Sequence, residues 1–242
     1  MCATTPLAIR IKPTCIVIFP TPEEYTVLVL SLKVGLLCVV ISLPFAVLLG
    51  WVLARKNFRG KLVLDGLCHL PLVLPPVVVG YLLLLLLGRR GFLGQILSDW
   101  FGLQIAFTWR GAVLAAAVVG FPLMLRAVRL AIESVDPRLE RAARTLGASP
   151  IRAFFSITLR LATPGVLVGS LLTFARSLGE FGATITFVSN IAGETRTLPL
   201  AIFTYINQPD GEAAAARLVL LSIILSLGAL IASETIARKM KN

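Results

Sequence analysis

Residues 25–54 read YTVLVLSLKVGLLCVVISLPFAVLLGWVLA, and this stretch decides the class of the protein. Lys33 is the one charged residue in it. A helix needs about 20 mainly apolar residues to cross the hydrocarbon core of a bilayer. The stretch is long enough and apolar enough to do so, which predicts a membrane protein.

The composition of the whole chain agrees with this reading. Of the 242 residues, 57% are hydrophobic and 14% are charged, whereas soluble domains carry about 25% charged residues. These values exclude a disordered chain, a coiled coil and a nucleic-acid-binding arm. Four cysteines and one histidine are too few for a disulfide framework or a zinc cluster, so no metal site is expected.

Five segments approach the length and apolarity of a membrane span, and they predict an all-α, polytopic protein. They are residues 25–54, 62–87, 106–125, 161–179 and 213–237. Three prolines in the second segment, Pro71, Pro75 and Pro76, predict a kink there. We expect an irregular tail over residues 1–22 with no cleaved signal, a transmembrane domain over 23–238 and a short cytoplasmic tail over 239–242.

The positions of the 23 lysines and arginines predict the orientation. If the chain crosses five times, fourteen of them lie in connections on one side and seven on the other. Because cytoplasmic loops carry the excess of basic residues, the N-terminus is predicted outside and the C-terminus inside. The cations flank apolar runs instead of forming one basic face, so the expected contact is membrane lipid, not nucleic acid.

The long connection on the cytoplasmic side, residues 126–160, reads RAVRLAIESVDPRLERAARTLGASPIRAFFSITLR. Asp136 and Pro137 are typical of a helix start. Gly147 is typical of the residue in left-handed conformation that ends a helix. Ser149 and Pro150 then open a second short helix. Such a two-helix loop could dock into a groove on a soluble partner, or it could lie on the membrane with its arginines facing anionic headgroups.

The spacing within this loop resembles a family signature. Ala142, Ala143, Gly147, Ile157 and Leu159 fit the pattern E-A-A-x3-G-x9-I-x-L-P of binding-protein-dependent ABC transporter permeases. The chain departs from the pattern at two positions. Arg141 stands where the acid would fall, with Glu140 one residue earlier and therefore about 100° around the helix, and Arg160 stands where the proline would fall.

Two further stretches, HLPLVLPPVVVGYLLLLLLGRRG at 69–91 and FARSLGEFGATITFVSNIAGETRTLP at 174–199, resemble the molybdate permeases of bacterial ABC uptake systems. Sulfate permeases share a related stretch, so sulfate and tungstate are alternatives. The resemblance implies the type I ABC importer permease fold in the bacterial inner membrane. It implies a homodimer, two cytoplasmic ATP-binding subunits and a periplasmic oxyanion-binding protein. It also implies an ATPase-coupling loop over 134–160 that acts through Glu140, Ala142, Ala143, Gly147, Ile157 and Leu159.

The chain carries no phosphate-binding G-x4-G-K-[ST] motif; its one Gly-Lys pair, Gly60-Lys61, is followed by Leu62. We therefore expect no enzyme activity and no cofactor on this chain, with ATP and Mg²⁺ used by the partner ATPase. A gradient-driven secondary transporter is the alternative of another class. The coupling loop distinguishes the two, because a secondary transporter has no use for it.

Charges inside the spans are costly, so each requires a reason. Lys33 either extends toward the outer interface or faces the pathway of an anion. Arg176 and Glu180 are four residues apart, and they are predicted to pair on one helix face. That pair serves either as a structural contact or as part of the pathway or gate.

Overall fold

The structure, a computed structural model, describes residues 21–239 and is helical without strands over that range. The predictions for residues 1–20 and 240–242 lie outside the described residues. The helices are α1 Pro22–Arg55, α2 Lys61–Val73, α3 Pro76–Leu87, α4 Phe92–Phe101, α5 Trp109–Glu133, α6 Pro137–Thr145, α7 Pro150–Ala153, a π-helical segment Phe154–Leu159, α8 Arg160–Leu178, α9 Gly182–Val188, α10 Leu198–Ile206 and α11 Glu212–Lys239.

The first helix begins at Pro22, inside the stretch predicted as an irregular tail. Thr21 caps it, and the side chain of Glu24 accepts a hydrogen bond from the Thr21 amide in return, at 2.9 Å. Proline favours the first position of a helix because it has no amide hydrogen to satisfy there. Pro22 therefore starts the helix at the last residue of the predicted tail.

Within residues 21–239, four helical stretches are long and apolar enough to cross a membrane: Pro22–Arg55, Trp109–Glu133, Pro150–Leu178 and Glu212–Ala232. The predicted second span, 62–87, is not one kinked helix but the pair α2 and α3, bent by 114°. Leu74 and Pro75 are extended between them, with ψ of 143° and 134°. A residue that precedes proline is pushed out of the helical region, and both Leu74 and Pro75 precede one. The consecutive prolines therefore turn the expected kink into a break.

The centre of the bundle is α5, which packs against α1, α8 and α9. Six of its thirteen buried residues are glycine or alanine: Gly111, Ala112, Ala115, Ala116, Ala117 and Gly120. A Cβ atom at Gly169 of α8 would lie 2.9 Å from Cβ of Ala127 on α5. Small residues let helix backbones approach closely in membranes, and this proximity brings the three long helices together.

The two shortest apolar helices fill one end of the bundle. α10 lies against α1, since its first amide, of Leu198, donates to the Ser31 hydroxyl of α1 at 2.8 Å. α9 packs against α3, where a Cβ at Gly80 would lie 2.6 Å from the carbonyl oxygen of Ala183. These contacts attach α10 to α1 and α9 to α3.

Candidate functional site

The first helix of the predicted coupling loop, α6, begins and ends where the sequence predicts. Asp136 Oδ1 accepts from the Arg138 amide at 2.8 Å, and Pro137 is the first helical residue. At the other end Gly147 has φ +91°, and the Ala148 amide donates to the Ala143 carbonyl at 3.1 Å. This is a Schellman motif, which requires a left-handed residue after the helix and strongly favours glycine there. The turn at the tip of the loop is therefore fixed by backbone geometry.

The second helix of the loop continues directly into the membrane span, in contrast to the separate short helix that the sequence predicts. Ser149 caps it by accepting from the Arg152 amide at 3.3 Å, and the helix runs on through the π-helical segment into α8. The signature proline is replaced by Arg160, so nothing interrupts the helical hydrogen bonding at that point. The end of the loop and α8 are therefore one continuous helical element.

Of three contacts made by the loop, one joins its two helices and two attach it to α1. Thr158 Oγ1 donates to Glu140 Oε2 at 3.0 Å, which joins the π-helical segment to α6. Arg55 Nη2, at the end of α1, donates to the Val135 carbonyl at 2.7 Å. The rings of Trp51 and Phe154 meet edge to face with centroids 5.9 Å apart. The base of the loop is therefore bound to α1 and α8.

The tip of the loop, by contrast, presents apolar side chains to solvent. Leu146 is 89% exposed and Ile151 is 73% exposed. The same loop carries five exposed arginines: Arg138, Arg141, Arg144, Arg152 and Arg160. An exposed apolar centre with a charged rim is typical of a surface that binds another protein.

The six residues predicted for coupling occupy two environments. Ala142 and Gly147 are exposed at the surface of the loop. The other four are half-buried at its base: Glu140, Ala143, Ile157 and Leu159. Glu140 points toward the buried hydroxyl of Thr158, to which it is hydrogen-bonded. The six predicted residues therefore do not form a single contact surface.

Arg176 and Glu180 form an ion pair, with Nη1 2.9 Å from Oε2. The pair does not lie on one helix face as predicted, because α8 ends at Leu178 and Glu180 stands in the break before α9. Glu180 is 2% exposed, and its Oε1 accepts from the Ala183 amide at 2.9 Å. The carboxylate therefore connects the end of α8 to the start of α9.

Lys33 stands over the ring of Trp109, with Nζ 3.6 Å from the ring centroid. Trp109 is the first residue of α5, and Cζ of Arg110 lies 5.6 Å from the centroid of the same ring. Tryptophan and long cationic side chains are enriched at membrane–water interfaces. Lys33 thus has a defined contact at the level where α5 begins.

Two clusters of charges were missed by the sequence reading. Glu24, 1% exposed, forms an ion pair with Arg217 of α11 at 2.7 Å, with two further bonds from Arg217 Nε. Arg129 of α5 contacts Asp65 of α2 at 3.0 Å and Glu133 at 2.8 Å. His69 Nδ1 lies 3.3 Å from Asp65 as well. The one available signal was the presence of carboxylates at the ends of apolar runs, which does not identify their partners.

Comparisons with known proteins agree with this architecture. Residues 46–242 match the family model of the binding-protein-dependent transport system inner membrane component. The molybdenum transport system permease protein ModB of Escherichia coli K12 is 62% identical over 218 residues, covering 90% of this chain and 95% of that protein. The sulfate transport system permease protein CysT of Salmonella typhimurium is 38% identical over 187 residues, covering 77% of this chain and 66% of that protein.

A solved structure shows the same fold. The bacterial alginate ABC transporter, crystallised with a periplasmic protein bound to an alginate pentasaccharide, superimposes with a TM-score of 0.72. The alignment covers 92% of this chain and 81% of that chain at 17% identity. The fold is therefore that of an ABC importer permease, and the chain belongs to the binding-protein-dependent transport system inner membrane components, the multi-pass permease subunits that rely on a separate ATPase.

Proposed function

We propose that this chain is the permease subunit of an ATP-driven importer that moves molybdate from the periplasm to the cytoplasm. The observation that carries the proposal is the 62% identity to ModB over 90% of the chain, against 38% over 77% for the sulfate permease. Sulfate and tungstate, which are also tetrahedral dianions, are the alternatives as cargo.

The coupling loop supports the ATP-driven mechanism. Its exposed tip, centred on Leu146 and Ile151, offers an apolar surface to a cytoplasmic ATPase, and the Gly147 turn holds that surface in one geometry. In this proposal two ATP-binding subunits use ATP and Mg²⁺, and each docks on one loop. Two copies of this chain form the membrane pore, and a periplasmic oxyanion-binding protein delivers the cargo.

The proposed orientation follows from the distribution of cations. The N-terminus lies outside and the C-terminus inside, with the transmembrane domain at 23–238 and the coupling loop at 134–160 in the cytoplasm. This requires the bent pair α2 and α3 to count as one crossing. The loop arginines then face the side where the ATPase resides.

Three charged side chains are candidates for the pathway or its gate: Lys33, Arg176 and Glu180. The position of Glu180 in a helix break supports a gate, because a break can change its angle more readily than a continuous helix. The adjacent cleft of about 470 Å³ is mainly apolar, with Ser31, Ser222 and Ser226 as its polar side chains. A conduit must release its cargo, so we propose recognition by the binding protein and a weakly polar path in the permease.

The first test is uptake of radiolabelled molybdate, tungstate and sulfate into vesicles that contain the permease, with and without ATP and the partner ATPase. We expect uptake of molybdate that requires both. Uptake by the permease alone would overturn the ATP-driven mechanism. Faster uptake of sulfate than of molybdate would identify sulfate as the cargo. Tight molybdate binding by the purified permease alone would contradict the weakly polar path.

The second test is Gly147→Asp in the loop. At φ +91° a residue with a Cβ atom is strained, and the added charge stands beside the docking surface. We expect loss of transport and of ATPase coupling, with the protein still present in the membrane. Gly102→Asp is the matched control, because Gly102 has φ +61° at the end of α4, away from the loop, and uptake should be retained. Normal uptake by Gly147→Asp would contradict the coupling role.

A further inference from the structure

The acidic residue of the coupling helix is bound within the chain. Glu140 Oε2 accepts from Thr158 Oγ1 at 3.0 Å, across 18 positions of sequence. Thr158 is completely buried and Glu140 is half-buried. A hydrogen bond to a charged acceptor away from water is stronger than one between neutral groups at the surface. This bond is the side-chain link between α6 and the root of α8.

The hydroxyl of Thr158 differs from the other hydroxyls of its helix. Within the described run 150–178, the remaining serines and threonines donate to carbonyls of their own helix; they are Ser156, Thr163, Ser170, Thr173 and Ser177. Donation to a carbonyl one turn back is the usual behaviour of such residues in helices. Thr158 instead donates to a different element, so its hydroxyl connects two helices.

Thr158 also lies in the π-helical segment Phe154–Leu159. π-Helical turns are rare, and they are found frequently at functional sites. Here the segment joins the loop to the membrane span. Phe154, which belongs to the segment, packs against Trp51 of α1. The irregular turn is thus held by α6 on one side and by α1 on the other.

The sequence at the neighbouring position explains why Glu140 is free for this role. Arg141, where the family signature has its acid, is exposed, whereas Glu140 is turned toward Thr158. One residue changes the direction of a helical side chain by about 100°. The acid of this chain therefore points toward its own span and not toward the surface of the loop.

We infer that Glu140 and Thr158 form a clasp that makes α6 and α8 move together, so that displacement of the loop by the ATPase reaches the membrane span. Glu140 is then a positioning residue that acts through Thr158. This inference rests on the proposed function, because it concerns how the ATPase drives the same permease.

The test uses the complete importer in proteoliposomes, with the permease, its ATPase and the loaded binding protein. Two quantities are measured: molybdate transported per ATP hydrolysed, and the amount of ATPase subunit that copurifies. Thr158→Val removes the hydroxyl and keeps the shape of the side chain. We expect transport per ATP to fall about fivefold, as for loss of one hydrogen bond, while copurification of the ATPase is unchanged.

Two matched variants complete the comparison. Thr158→Ser keeps the hydroxyl and should restore the coupling ratio. Ser156→Ala removes an exposed hydroxyl from the same π-helical segment and should leave the ratio unchanged, because that hydroxyl bonds only the Arg152 carbonyl among the described residues. A wild-type ratio in Thr158→Val overturns the clasp.

Glu140→Ala removes the same hydrogen bond from its other partner. Because α6 lies at the surface, we expect this variant to fold. It should lower the ratio as Thr158→Val does, and the double variant should be no worse than either single variant. If Thr158→Val does not accumulate, Glu140→Ala alone decides, and wild-type coupling in it overturns the inference. Failure of wild-type importer to move molybdate with ATP would instead overturn the proposed function, which separates the two results.

Discussion

Helices α5 and α11 are both apolar enough to span a membrane, yet they occupy opposite environments. In the most apolar 18-residue stretch of each helix, 67% of the residues are buried in α5 and 11% in α11. The mean hydropathy is nevertheless higher for α11, at 2.3, than for α5, at 1.9. Hydropathy therefore does not distinguish the centre of this bundle from its periphery. The difference lies in the size of the side chains.

The buried stretch of α5, GAVLAAAVVG at 111–120, is rich in small residues, whereas LVLLSIILSLGALI at 218–231 of α11 is rich in large ones. Lipid is as apolar as leucine, so large apolar side chains gain little by leaving it for another helix. Small residues gain close backbone contact instead. We conclude that the stretch of the chain richest in small residues marks the helix that the others surround.

The largest effect is expected where a large side chain is placed between α8 and α5. Gly169→Leu forces a side chain into the space in which a Cβ already lies 2.9 Å from Ala127. Overpacking of this kind costs about 3 kcal/mol of unfolding free energy. The measurement is the melting temperature of the detergent-purified protein, together with its level in the membrane.

Gly228→Leu is the control for that change, since among the described residues nothing lies within 4 Å of a Cβ at Gly228 of α11. We expect a change of less than about 0.5 kcal/mol, as for a surface substitution. A large loss of stability in Gly228→Leu would break the comparison, because it would place that face of α11 against another chain.

A smaller effect is expected from the ion pair that ties α11 to α1. Glu24→Gln keeps the shape of a side chain that is 1% exposed, but removes the charge that binds Arg217 at 2.7 Å. Loss of a charged hydrogen bond costs about 2 kcal/mol. The same melting measurement checks it, and Glu23→Gln, at the exposed neighbouring position, should leave stability unchanged. Equal melting temperatures for the two variants would show that α11 does not depend on this attachment.

The features that the sequence predicted correctly are those determined by nearby residues. The start of α6 at Asp136 and Pro137 and its end at Gly147 depend on caps and backbone angles within a few positions. The apolar runs likewise predicted which segments are helical. Local signals of this kind do not need knowledge of the partner helix.

The features that were missed depend on contacts between distant residues. Glu24 and Arg217 are 193 positions apart, and Asp65 and Arg129 are 64 apart. The prolines predicted a kink in the second span, but they did not predict the size of the bend, 114°, or the contact of α3 with α9. The direction of Glu140 was also beyond the sequence reading, because its partner Thr158 belongs to another element. Periodicity describes the face of a helix, and it does not identify what meets that face.

The smallest effect concerns the cation–π contact between Lys33 of α1 and Trp109 of α5. Lys33→Met keeps the length of the side chain and removes its charge, and we expect the free energy of unfolding to fall by about 0.5–1 kcal/mol. Lys56→Met, whose Nζ lies 5.5 Å from the Trp51 ring, is the matched control. Small losses in both variants would agree with an α5 held mainly by its small residues. A large drop in melting temperature for Lys33→Met would mean that contacts at the start of α5 contribute as much to stability as the small residues in its middle. A tenfold loss of uptake at an unchanged melting temperature would instead place Lys33 in the path of the anion.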